Sequence, residues 1–457
     1  MLNFLSDFNE IIWTAFFLPG LFFTAVRLTA GCRGLQLRAG TIWKKTIQSS
    51  LHRQDNGENT LTSVQASLTA LGSTVGTGNI VGTSQAIAMG GPGALFWMWA
   101  AAFASMIVKY AEVVLSINFR RSDNGYGPMD YMEHGLGKAE LAKAYAFFAI
   151  LSSFALGNIT QASSMADSIV SAADVLFPKS SFSLLSVRLS IGFFMSALSV
   201  WLLSGGAKRI AKASEILVPV MTVFFITASS AVVLANIKKM IPMFICIVHD
   251  AFHPQAALSG AVGITTAECV QWGVRRSAFS NEAGLGTSAI VHASSSGSSP
   301  AMEGLWGILE VFADTILICS LTGFTILCSG VDIQWGHEAG SELYCSALGT
   351  LFGQKTASVF VAVALWLFPY TSIISWSLYG KTCAEYLFGV PGKDVYGLFF
   401  PVCIILGCVM STKSAWLLAD LFNALMSVPN LIAVFLLSPT VSKISQDFFL
   451  DNKKRKV

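Results

Sequence analysis

Ala70-Leu-Gly-Ser-Thr-Val-Gly-Thr-Gly-Asn-Ile-Val-Gly82 is the stretch from which the rest of the chain can be read. It is apolar enough for a lipid bilayer, yet Gly72, Gly76, Gly78 and Gly82, with Thr74, Thr77 and Asn79, stand where a plain spanning helix would hold Leu and Ile. A helix of this composition is built to unwind. In hydrocarbon an unwound turn survives only where protein or a water-filled cavity satisfies the freed N–H and C=O groups. Those groups can also bind a ligand. A half-helix starting near Asn79 offers N–H groups and a positive dipole end to a carboxylate, and unwound carbonyls from Val75 to Thr77 suit a cation. A close-packing face of small residues is the competing reading of the glycines. Asn79 fits that reading badly, because a buried amide needs partners.

Composition assigns the class. Hydrophobic residues make up 53% and charged residues 12% of the 457, and the mean hydropathy is +0.62. Such a chain is an all-α integral membrane protein and not a water-soluble enzyme. Its spans hold no HExxH helix and no nucleophile elbow, which argues against a membrane-embedded enzyme. Nine cysteines without CxxC spacing read as small buried hydrophobes, so neither a disulfide framework nor a metal centre is expected.

Three long motifs carry a resemblance. The run GSTVGTGNIVGTSQAIAMGGPGALFWMWAAAFASMIVKYAEVVLSINFR begins at Gly72, FSNEAGLG spans Phe279 to Gly286, and LFPYTSIISWSLYGKTCAEYLFG spans Leu367 to Gly389. Together they resemble the alanine or glycine:cation symporter family. The resemblance implies the leucine-transporter fold, with two inverted five-helix repeats, and sodium as the co-transported ion. The chain departs from the usual family pattern at Thr287-Ser288-Ala289, where Ser-Ala-Pro is common, and at Asp130, where an aromatic often follows Gly-Pro-Met.

Taken in order, apolar runs give a first span over Ile11 to Leu28, the interrupted helix at about Val64 to Met89, and Ala94 to Ile117. Further spans are Ala144 to Leu176, Leu184 to Leu203, Ser214 to Ala235, Ala256 to Trp272, Leu305 to Cys328, Ala357 to Tyr379, Val395 to Met410 and Ala415 to Leu437. About eleven spanning helices result, one of them an extra amino-terminal helix. Four segments follow: 1–61 as first helix and cytoplasmic loop, 62–236 and 237–440 as two five-helix repeats, and 441–457 as a basic cytoplasmic tail. Positive charge gathers on one side, in the loop 30–61, at Arg275 and Arg276, and at Lys453 to Lys456, with Arg27 and Lys109 read as helix-end residues. That bias places the amino terminus outside, the carboxyl terminus in the cytoplasm and the protein in the cell (inner) membrane. The terminal KKRK reads as an anchor near anionic lipid, not a nucleic-acid signal.

If the repeats are inverted, the sixth of ten core helices matches the interrupted one. Its weak point then falls at Ser259-Gly260-Ala-Val-Gly263-Ile-Thr265-Thr266. The expected substrate site combines Thr77, Gly78, Asn79 and Gly263 with Gln161 and Trp376. Gln161 follows the Gly157-Asn-Ile-Thr run on one helix face with Asn158; the resemblance makes it a substrate contact, and interhelical hydrogen bonding is its plain alternative. Thr371 and Ser372 supply hard, neutral oxygens for a small alkali cation. Sodium is therefore expected at Val75, Gly76, Thr371 and Ser372, matching the pair that the resemblance assigns. Trp376, a turn away, either caps a small substrate or packs. Asn281 and Glu282, behind two arginines, read as gate or capping residues at the cytoplasmic end of a helix.

A core around Thr77 and Thr371 without a carboxylate favours sodium over protons, with Glu268, Glu310 and Asp314 the groups that a proton route would use. The sequence therefore points to a symporter that imports small neutral amino acids, alanine or glycine, with sodium by alternating access. A proton-coupled symporter or an amino-acid exchanger of the same fold is the alternative. Expected partners are the amino acid, sodium and the bilayer, with no nucleic acid, and a monomer is favoured.

Overall fold

In the computed structural model the described residues are 2–38, 40, 43–44, 47, 61–121, 125–178, 183–253, 264–296 and 299–454. Every named element among them is helical. The first helix, α1 (2–31), runs on through Pro19, with a wide π turn at Ile12–Phe17 just before the proline. Among the described residues, eight helices are long and apolar enough to cross a membrane.

The interruption expected in the glycine-rich stretch is present. Helix α2 (Ser63–Thr74) starts at a reciprocal capping box between Thr62 and Gln65. It stops at Val75, whose ψ of 88° leaves the helix. Helix α3 (78–90) resumes with a wide π turn at Gly78–Gly82. Next come α4 (Ala94–Phe119), α5 (139–176), α6 (Leu184–Leu203) and α7 (Gly206–Ala235).

A second interrupted helix follows, displaced from its expected place. Helix α8 (Thr266–Asn281) begins at a capping box of Thr265 with Glu268, so Thr265 and Thr266 mark a helix start and not a weak middle. The earlier part of the expected Ala256 to Trp272 span, including Gly263, lies outside the described residues. The actual break is the family-like motif itself. Glu282 is left-handed (φ 57°), Gly284 (φ 88°) and Gly286 (φ 77°) follow in conformations that glycine tolerates, and α9 (Thr287–His292) resumes the helix. Phe279 to Gly286 is therefore a mid-helix interruption and not a helix's cytoplasmic end.

The remaining core is α10 (300–329), α11 (Gln354–Val409), which doubles back at Gly389 (φ 68°), and α12 (Thr412–Lys454). The segment expected as a tail from 441 continues α12: Val441 and Ser445 are buried, and the Tyr110 and Ser445 hydroxyls lie 2.7 Å apart. Packing places the breaks side by side. Helix α4 lies on α8 and α10, α11 runs along α5, and α2 touches α7, α9, α10 and α11.

Two charge assignments change. Lys109 is not at a helix end but in the middle of α4 with a fully buried side chain, 3.4 Å from Glu310. Arg275 and Arg276 are not loop residues. They lie within α8 and share Asp420 of α12 at 2.7 and 2.6 Å. The basic bias rests on the other segments, and the end of the bundle where Leu61 pairs with Ser295 is called the basic end below.

Candidate functional site

At its break α2 turns toward α11. The Ser372 hydroxyl lies 2.9 Å from the Ser73 carbonyl and 3.3 Å from that of Gly72, and the neighbouring Thr371 hydroxyl donates to Phe368 O at 2.8 Å. The Ser372 hydroxyl thus meets two carbonyls that the unwinding leaves without full helical partners, while the Thr371 hydroxyl also lies 3.6 Å from Met221 Sδ of α7. The carbonyls near Ser372 belong to Gly72 and Ser73, one turn before the expected Val75 and Gly76. Gly76 O accepts from Asn79 N–H at 3.4 Å. The close approach here requires a glycine: a Cβ on Gly76 would stand 2.5 Å from Ser372 Oγ and 3.1 Å from Gln161 Oε1. Gly76→Ala is expected to introduce about 1 kcal/mol of overpacking and a roughly fivefold loss of transport, measured as initial uptake rate.

The expected substrate residues divide. Thr77 N–H donates to Gln161 Oε1 at 3.2 Å, while the buried Thr77 hydroxyl has no protein partner. That orphan hydroxyl at the start of α3, where the helix dipole is positive, is the group best placed for a ligand. Gly78 packs against Ser280 across the two breaks. Asn79 is occupied: its Oδ1 accepts from Gly76 N–H at 2.9 Å, and its Nδ2 donates to Asp314 Oδ1 at 2.7 Å. The buried amide pins the unwound turn instead of facing a substrate. Gln161 also holds its own helix, donating to Leu156 O at 3.2 Å.

Trp376 is fully buried, and its Nε1 donates to Glu282 Oε1 at 2.7 Å. It ties α11 to the second break. The other Glu282 oxygen accepts from Ser73 (3.1 Å) and Thr287 (2.7 Å), so Glu282 touches both interrupted helices at the centre of the bundle. Asn281 donates to Ser277 and Thr315, both at 3.2 Å, and its carbonyl accepts from Lys109 Nζ at 2.9 Å. The expectation of a core without carboxylates is thereby overturned: Glu282 and Asp314 both stand in it. Asp314 also accepts from Ser280 and Thr315 at 2.9 and 2.8 Å. Glu268 is exposed in its capping box, and Glu310 has partners of its own away from Asp314.

Three wide π turns, Gly78–Gly82, Ala155–Thr160 and Phe312–Cys319, border this centre. Such turns recur at functional sites. At the end opposite the basic end, a cavity of about 440 Å³ is lined by Val81, Gln85, Asp167, Arg188 and Trp416. Asp167 accepts from Arg188 and from Thr412 and lines the cavity. Below it Trp416 stacks on Phe279 (4.4 Å, 18°), and Arg276 lies 4.9 Å over the Trp416 ring. That layer separates cavity from core.

Sequence reasoning missed the central place of Glu282 and the buried groups Lys109, Glu112, His292 and Glu303. A signal for the first pair was present. Lys109 and Glu112 interrupt an apolar run long enough to span a bilayer, where a charge marks a functional or paired group.

Long apolar helices around two interrupted helices, whose breaks meet in a buried polar centre below a vestibule, define a multi-spanning membrane transporter. The chain belongs to the sodium:alanine symporter family, whose profile matches residues 1–457. It is 35% identical over 451 residues to the sodium/alanine symporter AgcS of Methanococcus maripaludis, covering 96% of this chain and 95% of that one. To the probable sodium/glutamine symporter GlnT of Bacillus subtilis it is 32% identical, covering 98% and 91%. Among solved structures it superposes on MhsT in complex with L-phenylalanine with a TM-score of 0.60, covering 85% of this chain and 99% of that one at 13% identity, a likeness of fold.

Proposed function

We propose that this protein carries a small neutral amino acid, alanine or glycine, into the cell together with sodium by alternating access. The observation behind this is the contact of the Ser372 hydroxyl, next to Thr371, with the Gly72 and Ser73 carbonyls at the break that also holds the unpartnered hydroxyl of Thr77. Hard neutral oxygens suit an alkali ion, and the start of α3 suits the carboxylate of an amino acid. The named functions of AgcS and GlnT support an amino acid with sodium and leave side-chain size to the pocket wall. Trp376 and Gln161, both buried at the breaks, are the bulk of that wall.

In this reading α2 to α7 and α8 to α12 are the two inverted repeats, the first within 62–236 and the second within 237–440 except for the last turns of α12, each opened by an interrupted helix. The basic end faces the cytoplasm and the amino terminus lies outside. Sodium bound between α2 and α11 steadies the break and raises the affinity for the amino acid, a reciprocal coupling of ~1–3 kcal/mol. Both ligands leave when the basic end opens. One chain suffices for this cycle. Asp314 on Asn79 favours one second reading, coupling to protons.

Uptake of labelled alanine into proteoliposomes separates the two. Accumulation above equilibrium under an inward sodium gradient, and none under a proton gradient in choline buffer, is the expected result. Accumulation with protons alone would replace the sodium reading, and no uptake in either would reject the substrate class. Competition by unlabelled glycine and glutamine then sizes the pocket.

A further inference from the structure

A row of fully buried ionisable groups lies between the transport centre and the basic end. His292, the last residue of α9, has Nδ1 2.8 Å from Glu303 Oε1 and Nε2 2.9 Å from Glu310 Oε1. Glu303 and Glu310 stand two turns apart on one face of α10. Glu303 Oε2 accepts from Ser63 Oγ of α2 at 2.7 Å. Glu310 Oε2 accepts from Ser288 Oγ of α9 at 2.9 Å and lies 3.4 Å from Lys109 Nζ of α4. The histidine and both carboxylates are 0% exposed.

Proton bookkeeping on this geometry has one solution. A neutral imidazole carries one N–H and one lone pair. Two imidazole nitrogens within hydrogen-bond distance of two carboxylates need a proton in each gap, since a lone pair facing a carboxylate oxygen is repulsive. With the histidine neutral and both glutamates ionised, one gap is empty. One further proton fills it, whether the triad is written as imidazolium between two carboxylates or as neutral imidazole beside one carboxylic acid.

We propose that Glu303, His292 and Glu310 form a binding site for one proton, and that this proton latches the basic end shut. The triad ties α2, through Ser63, to α9 and α10. Beside it the backbone makes a second tie: Leu61 N–H donates to Ser294 O at 2.9 Å and Ser296 N–H donates to Leu61 O at 2.7 Å. The basic end opens only if these segments part. Loss of the proton sets a lone pair against a carboxylate, which favours parting. Elements packed around α9 contribute Glu112 from α4, Arg120 just beyond it, Asp130 from the following turn, Glu282 from the break and Tyr379 from α11; the described part of α2 facing it holds no titratable side chain. Glu112 is bound to Gly284 N–H and Asn430, Arg120 to the Ser295 carbonyl, Asp130 to the Tyr126 and Gly127 amides, Glu282 to Ser73, Thr287 and Trp376, and Tyr379 to Ser73. Among the described residues Lys109 is the added charge in ion-pair reach of the triad.

The test is amide hydrogen exchange on the full-length protein in lipid nanodiscs, without amino acid or gradient, so that it stands apart from any outcome of the uptake assay. Peptides covering 61–74 and 287–296 are followed from about pH 6 to about pH 9, with the intrinsic pH dependence of exchange divided out, and protection is expected to fall about tenfold or more. In Glu303→Gln the amide donates to Nδ1 and no extra proton is required, so protection should persist across the range. Glu310→Gln should likewise flatten the profile, its amide donating to Nε2. Wild-type protection that does not change with pH would overturn the proposal, and so would a pH profile that survives in both variants. The wild-type series decides even if neither variant folds.

Discussion

Ser372→Ala is expected to weaken the apparent affinity for sodium by about 10- to 100-fold, read from the sodium dependence of amino-acid uptake. The estimate follows from removing one oxygen that contacts a charged partner, worth ~1.5–3 kcal/mol. Its hydroxyl bridges α11 to the Gly72 and Ser73 carbonyls at the very place where α2 stops being helical. Ser375 supplies the control. One turn along α11 its hydroxyl makes a similar bond, 2.9 Å to Thr69 O, but inside the regular part of α2. Ser375→Ala should therefore leave sodium dependence close to wild type. Equal effects in the two variants would mean that the hydroxyls serve helix packing alone, and the ion site would have to be sought elsewhere.

Lys109→Met carries the largest expected cost to stability. The ammonium is 0% exposed, pairs with Glu310 and donates to the carbonyl of Asn281, where α8 ends at its break. Deleting it leaves a buried carboxylate uncompensated and a helix-terminal carbonyl unpaired, a loss of ~3–5 kcal/mol. Thermal unfolding followed by the monodisperse fraction in detergent would show a fall of several degrees or no folded protein. The double variant Lys109→Met, Glu310→Gln removes both charges and should regain much of the loss, because replacing a whole buried pair costs far less than orphaning one member. A double variant as unstable as the single would place the role of Lys109 in its bond to Asn281 and not in the ion pair.

How much of this was legible depends on how local the physics is. The first interruption could be read from Gly76, Thr77, Gly78 and Asn79 because the hydrogen-bond deficit of an unwound turn is a property of the turn itself. The second could not. Arg275 and Arg276 made Phe279 to Gly286 look like the end of a span, since charge is costly in hydrocarbon. They are tolerated inside α8 because Asp420, on a helix more than a hundred residues away in sequence, pairs with both. Gly284 and Gly286 behind an acidic residue were the local sign of a break, masked by that neighbour.

The role of Asn79 shows the same limit. A buried amide announces that it needs partners, but not whether a ligand or the protein supplies them. Here Gly76 and Asp314 do. Trp376 likewise declared bulk near the site, and its bond to Glu282 decided which way that bulk is held.

By itself the sequence determined the all-helical membrane class, the family-like motifs, the first broken helix and the hydroxyl pair of α11, since each depends on composition or on residues a few positions apart. Only the tertiary structure decided where the second break lies, that two carboxylates stand in the core, and that Lys109, His292, Glu303 and Glu310 form one cluster. In a low-dielectric interior the meaning of a charge is set by its partner, and these partners come from different helices that folding alone brings within hydrogen-bond distance.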